Sequence, residues 1–357
     1  MAKLSEFKKY YVKAIQEGYA AIFAGAGLSR PAGFVNWKDL LRDLAEEIQL
    51  DVERETDLVE VAQYYCNEKR GRSELNDRIL NRFITESQEN VSIRILTEMP
   101  IRTYWTTNYD HLLEDTLKKK GKRIDIKMTP QNLATTLAEN DAIVYKMHGD
   151  YLDPSSCVIT KDDYELYNEK KQLFTTALQG DLVSKTFLFI GFSFEDPNLK
   201  YILTRIRNLL DENRRTHYCF FERIHEEDYK GKNEEYYYDL NKQNLKIHDL
   251  RRYGIEAVLI ENYEDIPFIL KNVQKEVKCN NIFISGAAHE YGEKWDSVAP
   301  LFIKNLVKEL YHHSLSLIVF KINDIIYIKP KKSSFPLSKE VDCTHFFSFF
   351  NFVEQRL

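Results

Sequence analysis

Apolar residues recur at helical spacing from the start of the chain. Phe7, Tyr11 and Ile15 mark a helix over 5–18 that stops at Gly18. An unbroken apolar run of strand length, Tyr19 to Ala24, passes into GAGLS (Gly25 to Ser29) and then into a helix-like stretch from Trp37 to Ile48. Strand, glycine turn and helix in this order form the first unit of a nucleotide-binding α/β fold. Residues 55–95 keep the helical period without a strand signal, which predicts a helical insertion over about 50–97. Strand-type segments then recur at Arg102 to Thr106, Ala142 to Met147, Phe187 to Ile190, Tyr218 to Phe221 and Ile255 to Leu259. Helical stretches at 110–120, 163–179 and 198–212 separate most of them. The alternation predicts an α/β fold with a Rossmann-like, doubly wound parallel sheet covered on both faces.

The pattern changes near residue 278. Asn280 to Gly286 (NNIFISG) has the appearance of a strand ending in glycine, and Ser297 to His312 shows helical spacing. Short apolar strands (LSLIVF, IIYI), a basic turn (KPKKSS) and a Phe-rich end follow. The expected division is a domain over 1–276 and a small C-terminal domain over 277–357. Its roughly 80 residues give it a marginal core volume.

Charge and cysteine content narrow the function classes. Fifty basic against 55 acidic side chains leave a net charge of −5. The basic runs KKKGKR and KPKK are short, so no direct nucleic-acid partner is expected. Five scattered cysteines without a CxxC pair argue against structural zinc and against a disulfide framework. No stretch reaches the roughly 18 apolar residues of a membrane helix, and residues 1–20 lack a signal-peptide core. A cytoplasmic protein without a membrane partner is the expectation. Only 13 of 357 residues are glycine, yet Gly25 and Gly27 lie two apart directly after a predicted strand. Such a pair lets backbone approach a phosphate, although a GxG alone equally marks a tight strand-to-helix turn.

Three further polar clusters follow predicted strands in the same way: TTNYD (Thr106 to Asp110), KMHGD (Lys146 to Asp150) and GFSFEDPN (Gly191 to Asn198). Open parallel sheets bind ligands outside the C-terminal ends of their strands, so four clusters there converge on one crevice. A lone histidine is more often structural; the position of His148 shifts that balance toward chemistry.

In order, GAGLS, WKDLL, TTNYDHLLE, HGD and GFSF resemble the prokaryotic sirtuin-like NAD-hydrolase family over about residues 15–270. NNIFISGAAHEYG is similar to the opening of the nucleotide-sensing domain of Thoeris-type antiphage effectors. No glycine occurs after Gly292, so the C-terminal domain is expected to be a divergent or truncated, nucleotide-sensor-like one. The resemblance implies NAD+ as substrate with no metal, cleavage to nicotinamide and ADP-ribose, and NAD+ depletion in abortive infection. It also implies a cyclic ADP-ribose-type activator and homo-oligomers of tetramer size or larger. By the same resemblance Asn108 and His148 are the catalytic pair. Gly25, Ala26, Gly27 and Ser29 form the dinucleotide loop, Asp110 supports the Asn108 loop, and Gly191 with Ser193 lines the site. Asp110 equally suits a cap for the following helix.

These residue types fit the reaction. Nicotinamide leaves from an already cationic ring, so the demand is to hold an oxocarbenium-like ribose and aim a water at it. An asparagine amide offers neutral donors and an acceptor, and a histidine can take a proton near neutral pH. The absence of paired cysteines departs from protein-deacylating sirtuins, leaving deacylation a minor alternative. A non-hydrolytic NAD or ADP-ribose sensor is the alternative from a different class; it would need no such catalytic pair.

Overall fold

The computed structural model describes residues 2–34, 36–84, 88–194, 196–210, 213–287, 317–322 and 325–330, with backbone alone from residue 279 onward. The chain divides into two compact units, residues 1–271 and 272–357. The first is built on seven parallel strands: β1 (Ala20–Ala24), β2 (Thr103–Thr106), β3 (Ile124–Lys127), β4 (Ala142–Lys146), β5 (Thr186–Ile190), β6 (His217–Glu222) and β7 (Ile255–Ile260). Their order across the sheet is β3-β4-β2-β1-β5-β6-β7. The chain builds outward from β1 on one side through β2, then crosses to lay β5 on the other. This reversal of winding beside β1 is the kind of switch point at which open α/β sheets place their ligand crevice.

Register sets the four polar clusters at one level. Ala24 pairs with Thr106 on one side and with Ile190 on the other, and Thr106 pairs with Lys146. The chain therefore leaves β1, β2, β4 and β5 side by side. Every residue of β1, β2 and β5 is buried, as expected of central strands with both faces covered.

Helix α1 (Leu4–Gln16) turns Phe7, Tyr11 and Ile15 inward, and the Tyr11 hydroxyl donates to the carbonyl of Ala21 at 3.0 Å. Helix α2 (Ala26–Ser29) is a single turn, and α3 (Trp37–Glu47) starts at the Asn36 cap. Three helices fill the stretch before β2: α4 (Leu58–Glu68), α5 (Ser73–Phe83) and α6 (Val91–Glu98). Asp57 caps α4 through the amides of Val59 and Glu60. Helix α7 (Leu112–Lys119) follows β2, and a short α8 (Pro130–Leu133) follows β3.

The single helix anticipated over 163–179 is three: α9 (Lys161–Glu165), α10 (Tyr167–Lys170) and α11 (Gln172–Ser184). The Thr160 capping box starts α9, Leu166 closes it and leads into α10, and Lys171 closes α10 before α11 begins. Helices α12 (Pro197–Leu210) and α13 (Asn233–Arg251) precede β6 and β7.

Helix α14 (Ile266–Ala287) runs across the division between the units. Residues 280–286, expected as a strand, are helical instead. They follow an established helix without a proline or glycine before Gly286, and adding a residue to a formed helix is far easier than nucleating a new element. In the second unit β8 (Leu317–Ile322) and β9 (Ile325–Pro330) pair antiparallel, as the two apolar runs predicted. The helix anticipated over 297–312 lies outside the described residues.

Candidate functional site

The GAGLS turn meets the loop after β5 backbone to backbone. Gly25 N donates to the Ile190 carbonyl at 3.0 Å and Gly27 N to the Gly191 carbonyl at 2.9 Å. A Cβ on Gly25 would lie 2.4 Å from Gly191 O, and one on Gly191 would lie 2.0 Å from Leu28 N. Gly191 also sits at φ +66°, in the left-handed region. Gly25 is thus required by the close packing of two loops, and a Cβ on the exposed Gly27 would also come within 3.0 Å of Gly191, while Ala26 is half-buried. Gly191 and Ser193 are exposed on the facing loop.

Asn108 is held from three directions. Its backbone N–H donates to Thr106 Oγ1 at 3.0 Å, and Thr106 Oγ1 in turn donates to the Ala24 carbonyl. The side-chain Nδ2 donates to Gly25 O at 3.2 Å and to Ser29 Oγ at 3.0 Å. A carbonyl can only accept, which fixes the orientation of the amide. Oδ1 is therefore turned the other way, and it is buried with no partner. The Ser29 hydroxyl is hydrogen-bonded to the Asp110 carboxylate, so a relay runs from Asp110 through Ser29 to Asn108. Asp110 also accepts the Leu112 N–H at 3.0 Å and so caps α7. Burial pushes its carboxyl above the usual range, against the opposing charge of Lys146. Ser29 and Asp110 are both buried and both committed to this relay.

Beneath the two loops lies a group that residue patterns left unassigned. Lys146, the last residue of β4, is fully buried. Its Nζ donates to the carbonyls of Tyr109 and Asp110 at 3.1 and 2.6 Å, and meets Glu114 at 2.9 Å and Asp150 at 2.8 Å. One ammonium thus ties the Asn108 loop to the His148 loop. Burial alone would lower its pKa, but Glu114 and Asp150 outweigh that and raise it, so it stays charged. Asp150 also takes His111 Nε2 at 2.6 Å. Burial would raise its carboxyl, yet His111 and Lys146 hold it at about 2. His111, Glu114 and Asp150 have the donor set of a metal site, but the Lys146 ammonium already meets the two carboxylates.

His148 is 1% exposed at the end of β4. The edges of Tyr164 and Tyr167 wall the ring, at centroid distances of 5.8 and 5.9 Å. Nε2 lies 3.3 Å from Asp196 Oδ2, too far off line for a formed hydrogen bond, and neither ring nitrogen has a hydrogen-bond partner. Burial lowers its pKa, only partly offset by Asp196, which leaves a neutral imidazole at pH 7. Asn108 Oδ1 and both nitrogens of His148 are thus unpaired buried polar atoms, at the ends of neighbouring strands β2 and β4. Native proteins satisfy nearly all such groups, and those left open point to a ligand.

Residues 102–247 match the family model described as a SIR2-like domain, which spans Asn108, Asp110, His148, Gly191 and Ser193. The chain carries a SIR2-like domain. Residues 265–319 match a second family, described as Sir2- and TIR-associating SLOG. The chain is similar to "NAD(+) hydrolase ThsA" of Acinetobacter baumannii, 49% identical over 83% of this chain and 61% of the relative. It is also similar to the protein of the same name from Bacillus cereus, 46% identical over 87% of this chain and 66% of the relative. "Defense-associated sirtuin 2" of Bacillus subtilis is 23% identical over 85% of this chain and 30% of that protein. The chain thus spans about three fifths to two thirds of the length of the NAD(+) hydrolases it matches. Three of the five motifs that carry the resemblance to sirtuin-like proteins, TTNYDHLLE, HGD and GFSF, lie inside the matched residues 102–247, and GAGLS and WKDLL lie before them.

Lys146, Tyr164 and Asp196 were not singled out by sequence. A lysine ending a buried parallel strand (AIVYK) is a signal for Lys146, because a buried cation needs paired anions. Asp196 was hidden by its position before Pro197, where a helix cap is the ordinary reading.

Proposed function

We propose that this chain is an NAD+ glycohydrolase, cleaving NAD+ to nicotinamide and ADP-ribose in antiphage defence, with Asn108 and His148 as its catalytic residues. One observation carries the reading: Asn108 Oδ1 and both nitrogens of a neutral His148 are buried and unpaired after the ends of neighbouring strands β2 and β4. Relatives 46–49% identical are named as NAD(+) hydrolases, which supports the same reading.

The geometry defines what each group does. Both amide protons of Asn108 are used within the protein, so Oδ1 is an acceptor only. It takes a hydrogen bond from a ribose hydroxyl or from the attacking water, fixing that oxygen without adding charge. The C1′–N bond breaks with its electron pair passing to the nicotinamide ring, which becomes neutral. Water forms the new bond at C1′, and its proton passes to His148 and then to solvent. Gly25, Ala26, Gly27, Gly191 and Ser193, where two loops meet at a strand end, suit the dinucleotide backbone. Asp110 and Ser29 act at one remove by fixing the Asn108 amide. Water exclusion around the reacting atoms follows from their burial.

The match of residues 265–319 supports a nucleotide-responsive part, with a cyclic ADP-ribose-type activator and homo-oligomers of tetramer size or larger completing the proposal. Depletion of NAD+ by this chain would require the cytoplasm, and that location is part of the proposal.

The test is a product balance. Purified protein with NAD+ alone is expected to yield nicotinamide and ADP-ribose in equal amounts by chromatography. Nicotinamide appearing only when an acyl-lysine peptide is supplied would replace hydrolysis with deacylation. Tight NAD+ binding without either product would mark a sensor.

A further inference from the structure

Asp196 is fixed at both carboxylate oxygens. Oδ1 accepts the Leu199 N–H at 2.8 Å and so caps α12; Oδ2 accepts the Tyr164 hydroxyl at 3.1 Å. The same Oδ2 is the atom 3.3 Å from His148 Nε2, and the Asp196 side chain is 8% exposed. A helix cap needs one oxygen. The second accepts the Tyr164 hydroxyl and faces a buried imidazole on which the ring of that tyrosine also packs.

A carboxylate has lone pairs only, so it is compatible with an imidazole nitrogen that carries hydrogen and repels one that does not. The other groups around the ring do not compete for Nε2. Tyr167 donates its hydroxyl to the Met147 carbonyl, Lys171 donates to the Met128 carbonyl, and Asp163 is paired with Arg72. Lys171 and Asp163 act on the ring only through their charge, in opposite directions.

We propose that Asp196 is the positioning residue of His148: it holds the Nε2–H tautomer, leaves Nδ1 as the base, and steadies the cation once Nδ1 has taken a proton. The proton step rests on the hydrolase reading above; the tautomer does not. In that step the proton of the attacking water moves to Nδ1 as oxygen bonds to C1′, and the imidazolium then faces Oδ2 through Nε2–H. The off-line 3.3 Å contact shortens on protonation, as catalytic hydrogen bonds commonly tighten beyond their ligand-free geometry.

The test uses the full chain with nitrogen-labelled histidine and two variants. Asp196→Asn keeps an oxygen for the Leu199 amide and removes the charge; Asp196→Ser keeps a good cap should the first not fold. Long-range proton–nitrogen correlation, with the His148 signals identified by their loss in His148→Ala, is expected to show Nε2–H in the wild type and loss of that preference in both variants. In turnover, kcat is expected to fall about 100- to 10,000-fold with KM nearly unchanged. The acidic limb of the pH profile is expected to move to lower pH. Nδ1–H in the wild type, or a variant with unchanged tautomer and pH profile, overturns the inference and reduces Asp196 to a cap. A wild type that releases no nicotinamide defeats the hydrolase reading instead, and the tautomer measurement still decides the role of Asp196.

Discussion

Replacing Lys146 with methionine keeps a straight side chain of similar reach in the core but removes the ammonium. Glu114, at 2% side-chain exposure, and Asp150, at 5%, then lose their shared cation. The carbonyls of Tyr109 and Asp110 lose a donor in the same step. Removing one partner of a buried ion pair costs about 3–5 kcal/mol, because the charge left behind has neither water nor a counter-charge. Asp150 gives an independent scale: a carboxyl held at about 2 rather than its ordinary value corresponds to about 2 kcal/mol at neutral pH, shared with His111. At about 2–4 °C per kcal/mol for a unit of this size, Tm of Lys146→Met is expected to fall by about 6–20 °C, read by circular dichroism. Adding Glu114→Gln to Lys146→Met removes one stranded charge and is expected to recover part of the loss. A Tm within about 2 °C of wild type, or no recovery in the double variant, would refute the view that this ammonium clamps the two loops.

Gly191→Ala places a Cβ 2.0 Å from Leu28 N at positive φ, so a loss of about 3 kcal/mol or more is expected in urea unfolding; Gly180→Ala, in the exposed part of α11 with open space around it, is the control and is expected to gain about 0.5–1 kcal/mol. His217 is 2% exposed, accepts the Phe187 N–H through Nδ1, and is pushed down to about 3 by burial. The unfolded chain therefore binds one more proton than the folded chain between about pH 6.5 and pH 3. Stability from this group is complete above that window and falls by about 1.4 kcal/mol per pH unit within it. His217→Asn, which keeps an acceptor, is expected to flatten the slope by that amount, and an unchanged slope contradicts it. Ser29→Ala cuts the relay from Asp110 to Asn108. Steady-state kinetics should show kcat lower by about 10- to 100-fold at nearly constant KM, with about 1–3 kcal/mol less stability from the stranded carboxylate.

Much of the sheet was legible because central parallel strands are continuous apolar runs, and β1, β2, β4, β5, β6 and β7 fall where those runs lie. Strand β3 was missed because IDIK is a short edge strand with an alternating, half-polar pattern. Helix α13 was missed for a related reason: only Ile247 and Leu250 are buried along its 19 residues, too few to print a helical period. The strand expected over 280–286 shows the reverse error, since a short apolar run reads the same in a strand and in the end of a long helix. At the site, position after a strand end brought out the TTNYD and KMHGD clusters and His148, while Asn108 was singled out within its cluster by the family resemblance. The support of the Asn108 loop by Asp110 was legible through the resemblance, but Ser29 as its link to Asn108 and the Lys146 clamp were not, since these depend on contacts 79 and 36 residues apart.

The proposed function has the loops after β1, β2, β4 and β5 form one site that breaks the nicotinamide–ribose bond through Asn108 and His148. Its most direct test is nicotinamide release from NAD+ by wild type, Asn108→Ala and His148→Ala at matched concentration, each with its fold verified by circular dichroism. Release by the wild type that falls at least about 100-fold in both folded variants is the predicted result. Release that survives either substitution would contradict the account.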